Sequence, residues 1–146
     1  MIAESAYFPE VSPNGQYLLC QISDSLRVFR LADGAAIPFE ISIDTNTSNT
    51  QPLFGRPHWM RDGRAIAFIG RDEKGLTGIF VQDFAPGKDT TRTRRRLAGF
   101  DPDLATESFG FSPDGSSLTI SFHEQLFSVM MVERAPGIVA PKRVAR

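Results

Sequence analysis

Few residues in this 146-residue chain have the types and spacing that catalysis or metal binding requires. Its two histidines, His58 and His123, lie far apart, and neither stands at a metal-site spacing from Cys, Asp or Glu. The one cysteine, Cys20, has no Cys–His arrangement around it, and no Gly-x-Ser-x-Gly nucleophile elbow occurs in the chain. The sequence therefore predicts no catalytic residue, no metal site and no cofactor.

The serines and aspartates that would be candidate nucleophiles or acids have another explanation. Ser12 and Ser112 stand at the start of turn sequences. Asp62 and Asp114 occupy a turn position at which a short carboxylate accepts hydrogen bonds from nearby backbone amides. An acid–base pair would need a shared cleft, which two equivalent turns do not supply. We therefore assign these four side chains to turn structure.

The run Arg92-Thr93-Arg94-Arg95-Arg96 is the only local excess of charge. One interpretation is a contact with phosphate or an acidic partner. The other is an outer strand in solvent whose charges protect a sheet edge, which also explains the alternation with threonine. The second is favoured because the net charge is only -1. Without a basic field to attract polyanions, we expect no nucleic-acid partner.

The chain carries no recognisable membrane or export signal. No apolar stretch approaches the roughly 18 residues of a spanning helix, and residues 1–10 lack the basic and apolar regions of a signal peptide. We therefore expect no membrane insertion and, by default, a cytoplasmic location. A lone thiol, Cys20, is compatible with a reducing compartment.

Three stretches of the chain repeat one pattern, and the repeat determines the expected fold. In each, a large apolar residue precedes a turn that ends in Asn-Gly or Asp-Gly, and the glycines recur about every 50 residues, close to the length of a propeller blade. The motif comprises Val11, Pro13, Asn14 and Gly15 in the first copy, Trp59, Asp62 and Gly63 in the second, and Phe111, Pro113, Asp114 and Gly115 in the third.

Each turn is followed by the pattern of three further strands. The first of these alternates, so that its apolar residues share a face: Leu18, Cys20 and Ile22; Ile66 and Phe68; Leu118, Ile120 and Phe122. The next strands are predicted at 26–31, 79–84 and 126–132, and the outer strands at 37–41, 95–100 and 139–144. The register places Cys20 level with Phe68 and Ile120 and predicts that it is a small core residue.

The sequence therefore predicts an all-β chain of three four-stranded antiparallel β-propeller blades. The blades span about residues 5–41, 53–100 and 105–146, and a polar link occupies 42–52. Twelve phenylalanines against one tryptophan and two tyrosines indicate core filling more than a ligand-binding surface.

The motif resembles the TolB-type propeller repeat, a relative of the WD-type blade. Residues 111–115 match its aromatic and Ser-Pro-Asp-Gly turn in full. Trp59, Asp62-Gly63 and residues 66–68 match the aromatic, the turn and the Ile-Ala-Phe-like strand in the second copy, and residues 79–84 resemble the next strand. Residues 56–60 and 107–111 are most similar to propellers that lie C-terminal to the kinase domain of bacterial serine/threonine kinases. The chain itself contains no kinase motif.

This resemblance implies a non-catalytic interaction or sensor module of a larger bacterial signalling protein, with a protein, peptide or small molecule as ligand. The alternative is an accessory propeller that gates a prolyl-oligopeptidase-type hydrolase whose catalytic domain is not in this chain. Because propellers close with about four to eight blades, three copies leave two open sheet edges. We therefore expect either a homodimer that completes a six-bladed ring or a piece of a longer propeller.

Overall fold

The computed structural model describes residues 6–43 and 55–124, and apart from one 3₁₀ turn (Thr91–Thr93) their regular structure is β-strand. The ten strands form three antiparallel sheets, one for each sequence repeat. Sheet 1 contains β1 (Ala6–Val11), β2 (Tyr17–Ile22), β3 (Ser25–Arg30) and β4 (Ala36–Ser42). Sheet 2 contains β5 (His58–Trp59), β6 (Ala65–Arg71), β7 (Thr77–Asp83) and β8 (Arg95–Gly99). Sheet 3 contains β9 (Ala105–Phe111) and β10 (Leu118–His123).

Every strand pairs with its neighbour in sequence, so each sheet is an antiparallel meander. The predicted all-β class is confirmed, and so are the four antiparallel strands of the first two repeats. β4 extends one residue into the predicted link, to Ser42. The strands predicted at 126–132 and 139–144, and nearly all of the link, lie outside the described residues.

The three motif turns have the same structure. The N–H groups of Gly15, Gly63 and Gly115 each donate to a carbonyl three residues earlier at 2.8 Å. All three glycines have φ near +70°, the left-handed region that other residues adopt at a cost. The side chains of Asn14, Asp62 and Asp114 each accept a hydrogen bond from the N–H two residues later, which the sequence analysis predicted for the two aspartates.

These turns also pack against one another in chain order. A Cβ atom on Gly63 would lie 3.5 Å from the Pro13 ring, and one on Gly115 would lie 3.7 Å from Arg61 Cδ. Arg61 Nη1 also donates to the backbone oxygen of Asp114 at 2.7 Å. The turn-bearing ends of the sheets therefore lie together, with sheet 2 between sheets 1 and 3.

The main core lies between sheets 1 and 2. Leu19 and Val28 pair across β2 and β3 and are fully buried on the face of sheet 1 that meets sheet 2. An aromatic cluster closes one end of this interface, with Phe84 at its centre. Three rings meet Phe84 edge-on at centroid distances of 4.9 to 5.1 Å: those of Tyr17, Phe39 and Trp59.

β6 differs from the half-buried strand that its alternation predicts. Both the face with Ile66 and Phe68 and the face with Ala67 and Ile69 are buried. The reason is tertiary, because sheet 1 covers the first face and sheet 3 approaches the second. Thr106 N, for example, donates to Thr77 Oγ1 at 2.6 Å between sheets 2 and 3.

Candidate binding cleft between sheets 2 and 3

In each repeat, one residue directly precedes the large apolar residue of the motif. In the first two repeats the side chains at this position connect sheet 1 to sheet 2. Glu10 on β1 and His58 on β5 occupy this position, and Glu10 Oε2 lies 3.0 Å from His58 Nδ1. Glu10 Oε1 accepts a hydrogen bond from the Trp59 backbone N–H, and the Glu10 backbone oxygen accepts one from Trp59 Nε1. These contacts connect sheet 1 to sheet 2 beside the turns.

His58 continues the link to sheet 3. Its ring meets the Phe109 ring edge-on at a centroid distance of 5.2 Å. The hydrogen bond with Glu10 raises the pKa of His58, while burial and Arg56 act in the opposite direction. One imidazole therefore contacts both neighbouring sheets, and its contact with Glu10 favours the protonated form.

A cleft of about 1000 Å³ opens between sheets 2 and 3 at their turn-bearing ends. This is the upper part of the size range of small-ligand sites. Its apolar lining includes Trp59, Ala65, Phe84 and Phe111, and Arg61 stands among the charged residues of its rim. The shape and the mixed lining are those of a binding site.

Two residue differences between the repeats contribute to this open space. Tyr17 follows the first turn glycine by two residues, and its ring fills the interface between sheets 1 and 2 against Phe84. The equivalent residue of sheet 2 is Ala65, which faces sheet 3 and lines the cleft. Phe111, with a smaller ring, replaces the equivalent Trp59. Among the described residues, the second interface therefore carries less aromatic volume than the first.

Most charged groups around the cleft are already paired. Arg95 Nη1 lies 3.0 Å from Asp83 Oδ1, and Arg61 is bound to the next turn. The pKa of Asp114 is lowered to about 2, mainly because the Ser112 hydroxyl donates a hydrogen bond to its carboxylate. Within the described residues, Arg64 is the one cation of the cleft whose side chain has no hydrogen-bond or ion-pair partner.

The basic run is more closely integrated than a solvated edge. Arg94 lies over the Phe68 ring at 5.1 Å and its Nε donates to Gln82 Oε1 at 3.1 Å. Arg96 lies 3.8 Å from the centroid of Phe100. These cations are used within sheet 2, where they cover apolar rings.

The other candidate groups of the sequence do not form a reactive centre. Cys20 is buried, and burial raises the pKa of its thiol, which disfavours the reactive thiolate. Among residues 6–43 and 55–124, no cluster of three or more His, Cys, Asp or Glu side chains is arranged to hold a metal ion. His123 is exposed at the end of β10.

The motif residues divide into two groups. Those of the second and third copies line the cleft, Gly63 excepted: Trp59, Asp62, Phe111, Pro113, Asp114 and Gly115. Pro13, Asn14 and Gly15 lie on the first turn, away from it. Sequence reasoning missed Glu10 and Ala65, although a position-by-position comparison of the repeats shows that Ala65 is a small residue at the position equivalent to Tyr17.

Comparison with known proteins adds no relative: no family model matches the chain, and no curated protein is significantly similar to it. Within the part of the chain that the structure describes, no helix has the length and apolar character needed to cross a bilayer.

Proposed function

We propose that this chain is a segment of a β-propeller of the TolB type, that it is a non-catalytic interaction module of a larger bacterial signalling protein, and that it binds a peptide segment of a partner protein in the cleft. Support for the propeller comes from the three equivalent turns, which pack in series along three antiparallel sheets. Consecutive blades of a propeller are related in this way.

The open cleft is the observation that carries the binding proposal. The ring of Tyr17 packs against Phe84 in the interface between sheets 1 and 2, whereas the equivalent Ala65 lines a cleft of about 1000 Å³ between sheets 2 and 3. Aromatic groups at the bottom of a cleft bind apolar side chains, and the free guanidinium of Arg64 suits a carboxylate of the same peptide.

The substitution Ala65→Tyr tests the proposal, because it installs the residue found at the equivalent position of sheet 1. Peptides would be selected from a displayed random library on the wild-type chain, and their affinity measured by the fluorescence of Trp59, the only tryptophan. We expect Ala65→Tyr to weaken binding of the selected peptides at least about tenfold by filling the cleft.

The matched control is Ala105→Tyr, the same change at an exposed position at the opposite end of sheet 3. It should leave peptide affinity unchanged. Equal binding by the wild type and Ala65→Tyr, or failure of the library to yield any peptide, would contradict the proposal.

A further inference from the structure

A second cavity lies between β1 and the segment that leads into β5. Its volume is about 540 Å³, within the size range of small-ligand sites. Three residues from each of the first two repeats line it: Phe8, Pro9, Glu10, Arg56, Pro57 and His58. The Glu10–His58 pair also borders the cleft between sheets 2 and 3, but Phe8 and Arg56 line this cavity alone.

The six lining residues are two copies of one tripeptide of the repeat. Counted back from the turn glycines Gly15 and Gly63, residues 8–10 and 56–58 are equivalent, and each tripeptide has proline in the middle. Proline fixes its own φ, and Pro57 is also fully buried. The walls of the cavity are therefore rigid before any ligand binds, which lowers the entropic cost of binding.

The first residue of the tripeptide differs between the copies, being Phe8 in one and Arg56 in the other. Phe8 lies in a β-bulge, because the pairing of β1 with β2 shifts by one residue between Tyr7 and Glu10. Its φ is +53°, in the left-handed region that a bulky side chain adopts at a cost. Bulges and strained residues are frequent beside functional sites, and here the strained residue lines the cavity.

Arg56 lies over the Phe8 ring, with its Cζ atom 5.7 Å from the ring centroid. A guanidinium held by a ring can still donate hydrogen bonds from its edge to a carboxylate. Among the residues that the structure describes, Arg56 has no hydrogen-bond or ion-pair partner for its side chain. The side chain is exposed, so a ligand can reach it from solvent.

The charges around the cavity leave Arg56 uncompensated. Glu10 Oε2 lies 3.0 Å from His58 Nδ1, so these two groups balance each other when His58 is protonated. Arg56 acts on His58 as a nearby positive charge that lowers the pKa of the imidazole. With His58 protonated, the site carries one excess positive charge beside an aromatic ring, and a bound anion would offset the repulsion between the two cations.

We propose that this cavity binds a small organic carboxylate through Arg56, with the apolar part of the ligand against Phe8 and the two prolines. A carboxylate matches the two-pronged donor geometry of a guanidinium. The cavity has many times the ~30 Å³ that a water molecule occupies, so an inorganic ion would leave most of it empty. Half of its lining residues are apolar, which favours an anion that carries an apolar group.

This site goes beyond the peptide-binding cleft and does not depend on it. Arg56 does not line the cleft, and Ala65, the residue whose substitution tests the cleft, does not line this cavity. A failed selection of peptides therefore leaves carboxylate binding to its own test, and the reverse also holds.

Benzoate is a suitable probe, because it joins a carboxylate to an apolar ring. Proton NMR of the His58 imidazole in the full chain measures its binding at about pH 6, where protonation of His58 is favoured, with sodium chloride keeping the ionic strength constant. We expect a saturable shift with a dissociation constant of about 1 mM or lower. Acetate and phosphate should bind at least about fivefold more weakly, and the exposed His123 should not respond.

Arg56→Gln and Arg92→Gln are matched variants, since each removes the charge of one exposed arginine and only Arg56 lines the cavity. Arg56→Gln should raise the dissociation constant for benzoate at least about tenfold, and Arg92→Gln should not change it. If Arg56→Gln does not give the wild-type circular dichroism spectrum, Arg56→Lys replaces it. That variant keeps the charge but loses the planar donor geometry, so it should also weaken binding.

Three results would overturn the proposal. The first is the absence of a saturable His58 shift up to about 20 mM benzoate. The second is an equal effect of the substitutions at Arg56 and Arg92, which would show that only the net charge matters. The third is phosphate binding as tight as that of benzoate, which would show a site for inorganic anions.

Discussion

Replacing Glu10 by Gln should remove the pH dependence that His58 confers on stability. The neutral side chain keeps an oxygen for the Trp59 N–H but loses the charge that lies 3.0 Å from His58 Nδ1. Burial and Arg56, which both lower the pKa of His58, then act without the opposing carboxylate. The pKa should fall from above the ordinary value to near or below it.

The structure sets the size of the effect at about 1 kcal/mol. Exposed ion pairs contribute about 0.2–1 kcal/mol, and hydrogen bonds to charged groups about 1.5–3 kcal/mol. The side chains of His58 and Glu10 are 28% and 33% exposed, so solvent screening places this pair between those ranges.

The sign follows from the direction of the shift. Because the pKa of His58 is higher in the folded chain than in the unfolded one, its contribution is fully present below about pH 6.5 and is lost as pH rises through the folded pKa. Glu10→Gln should therefore be less stable than the wild type by about 1 kcal/mol near pH 5, and the difference should shrink by about pH 8.

Urea unfolding at several pH values, followed by the fluorescence of the buried Trp59, measures this difference. Proton NMR titration gives the pKa of His58 directly. The variant His123→Gln removes the other histidine, so that the imidazole resonance that remains is assigned to His58. A stability difference that is equal near pH 5 and pH 8, or a wild-type His58 pKa at or below about 6.5, would refute the reasoning.

Two further predictions concern the sheets and turns themselves. Gly78→Ala should lower the free energy of unfolding in urea by about 2 kcal/mol, because its Cβ would lie 2.5 Å from the Phe100 ring. Gly110→Ala, which has open space around it, should change that free energy little. Equal losses of stability in the two variants would contradict the close packing of Gly78 on Phe100. The carboxyl of Asp114 should titrate at about 2, and Ser112→Ala should raise that pKa; an unchanged value would show that the hydroxyl is not the cause.

The turns and strands could be predicted because their causes are local. The left-handed glycines and the side chain that caps each turn depend on residues two or three positions apart, as at Asp62 and Gly63. Period-two alternation likewise placed β2, β6 and β10 within a residue of their observed starts.

The candidate site could be predicted only in part. Trp59, Phe111 and Asp114 were identified as motif residues, but the pattern gave no sign that they border one cleft. Ala65 contributes no ring to the interface in which this cleft lies. The small size of Ala65 points to a cleft only once sheets 2 and 3 are known to be neighbours. Phe111, which lines the same cleft from sheet 3, is more than 40 residues away in the chain.

The sequence by itself determined that this chain forms repeated antiparallel sheets with equivalent turns, because backbone geometry and side-chain alternation are set within a few residues. Only the tertiary structure decided what the repeats do differently. Leu18 and Ile66 occupy the same position of the same strand, yet one is partly exposed and the other buried. Burial depends on the neighbouring sheet, so the stacking order decides which of two equivalent positions is buried.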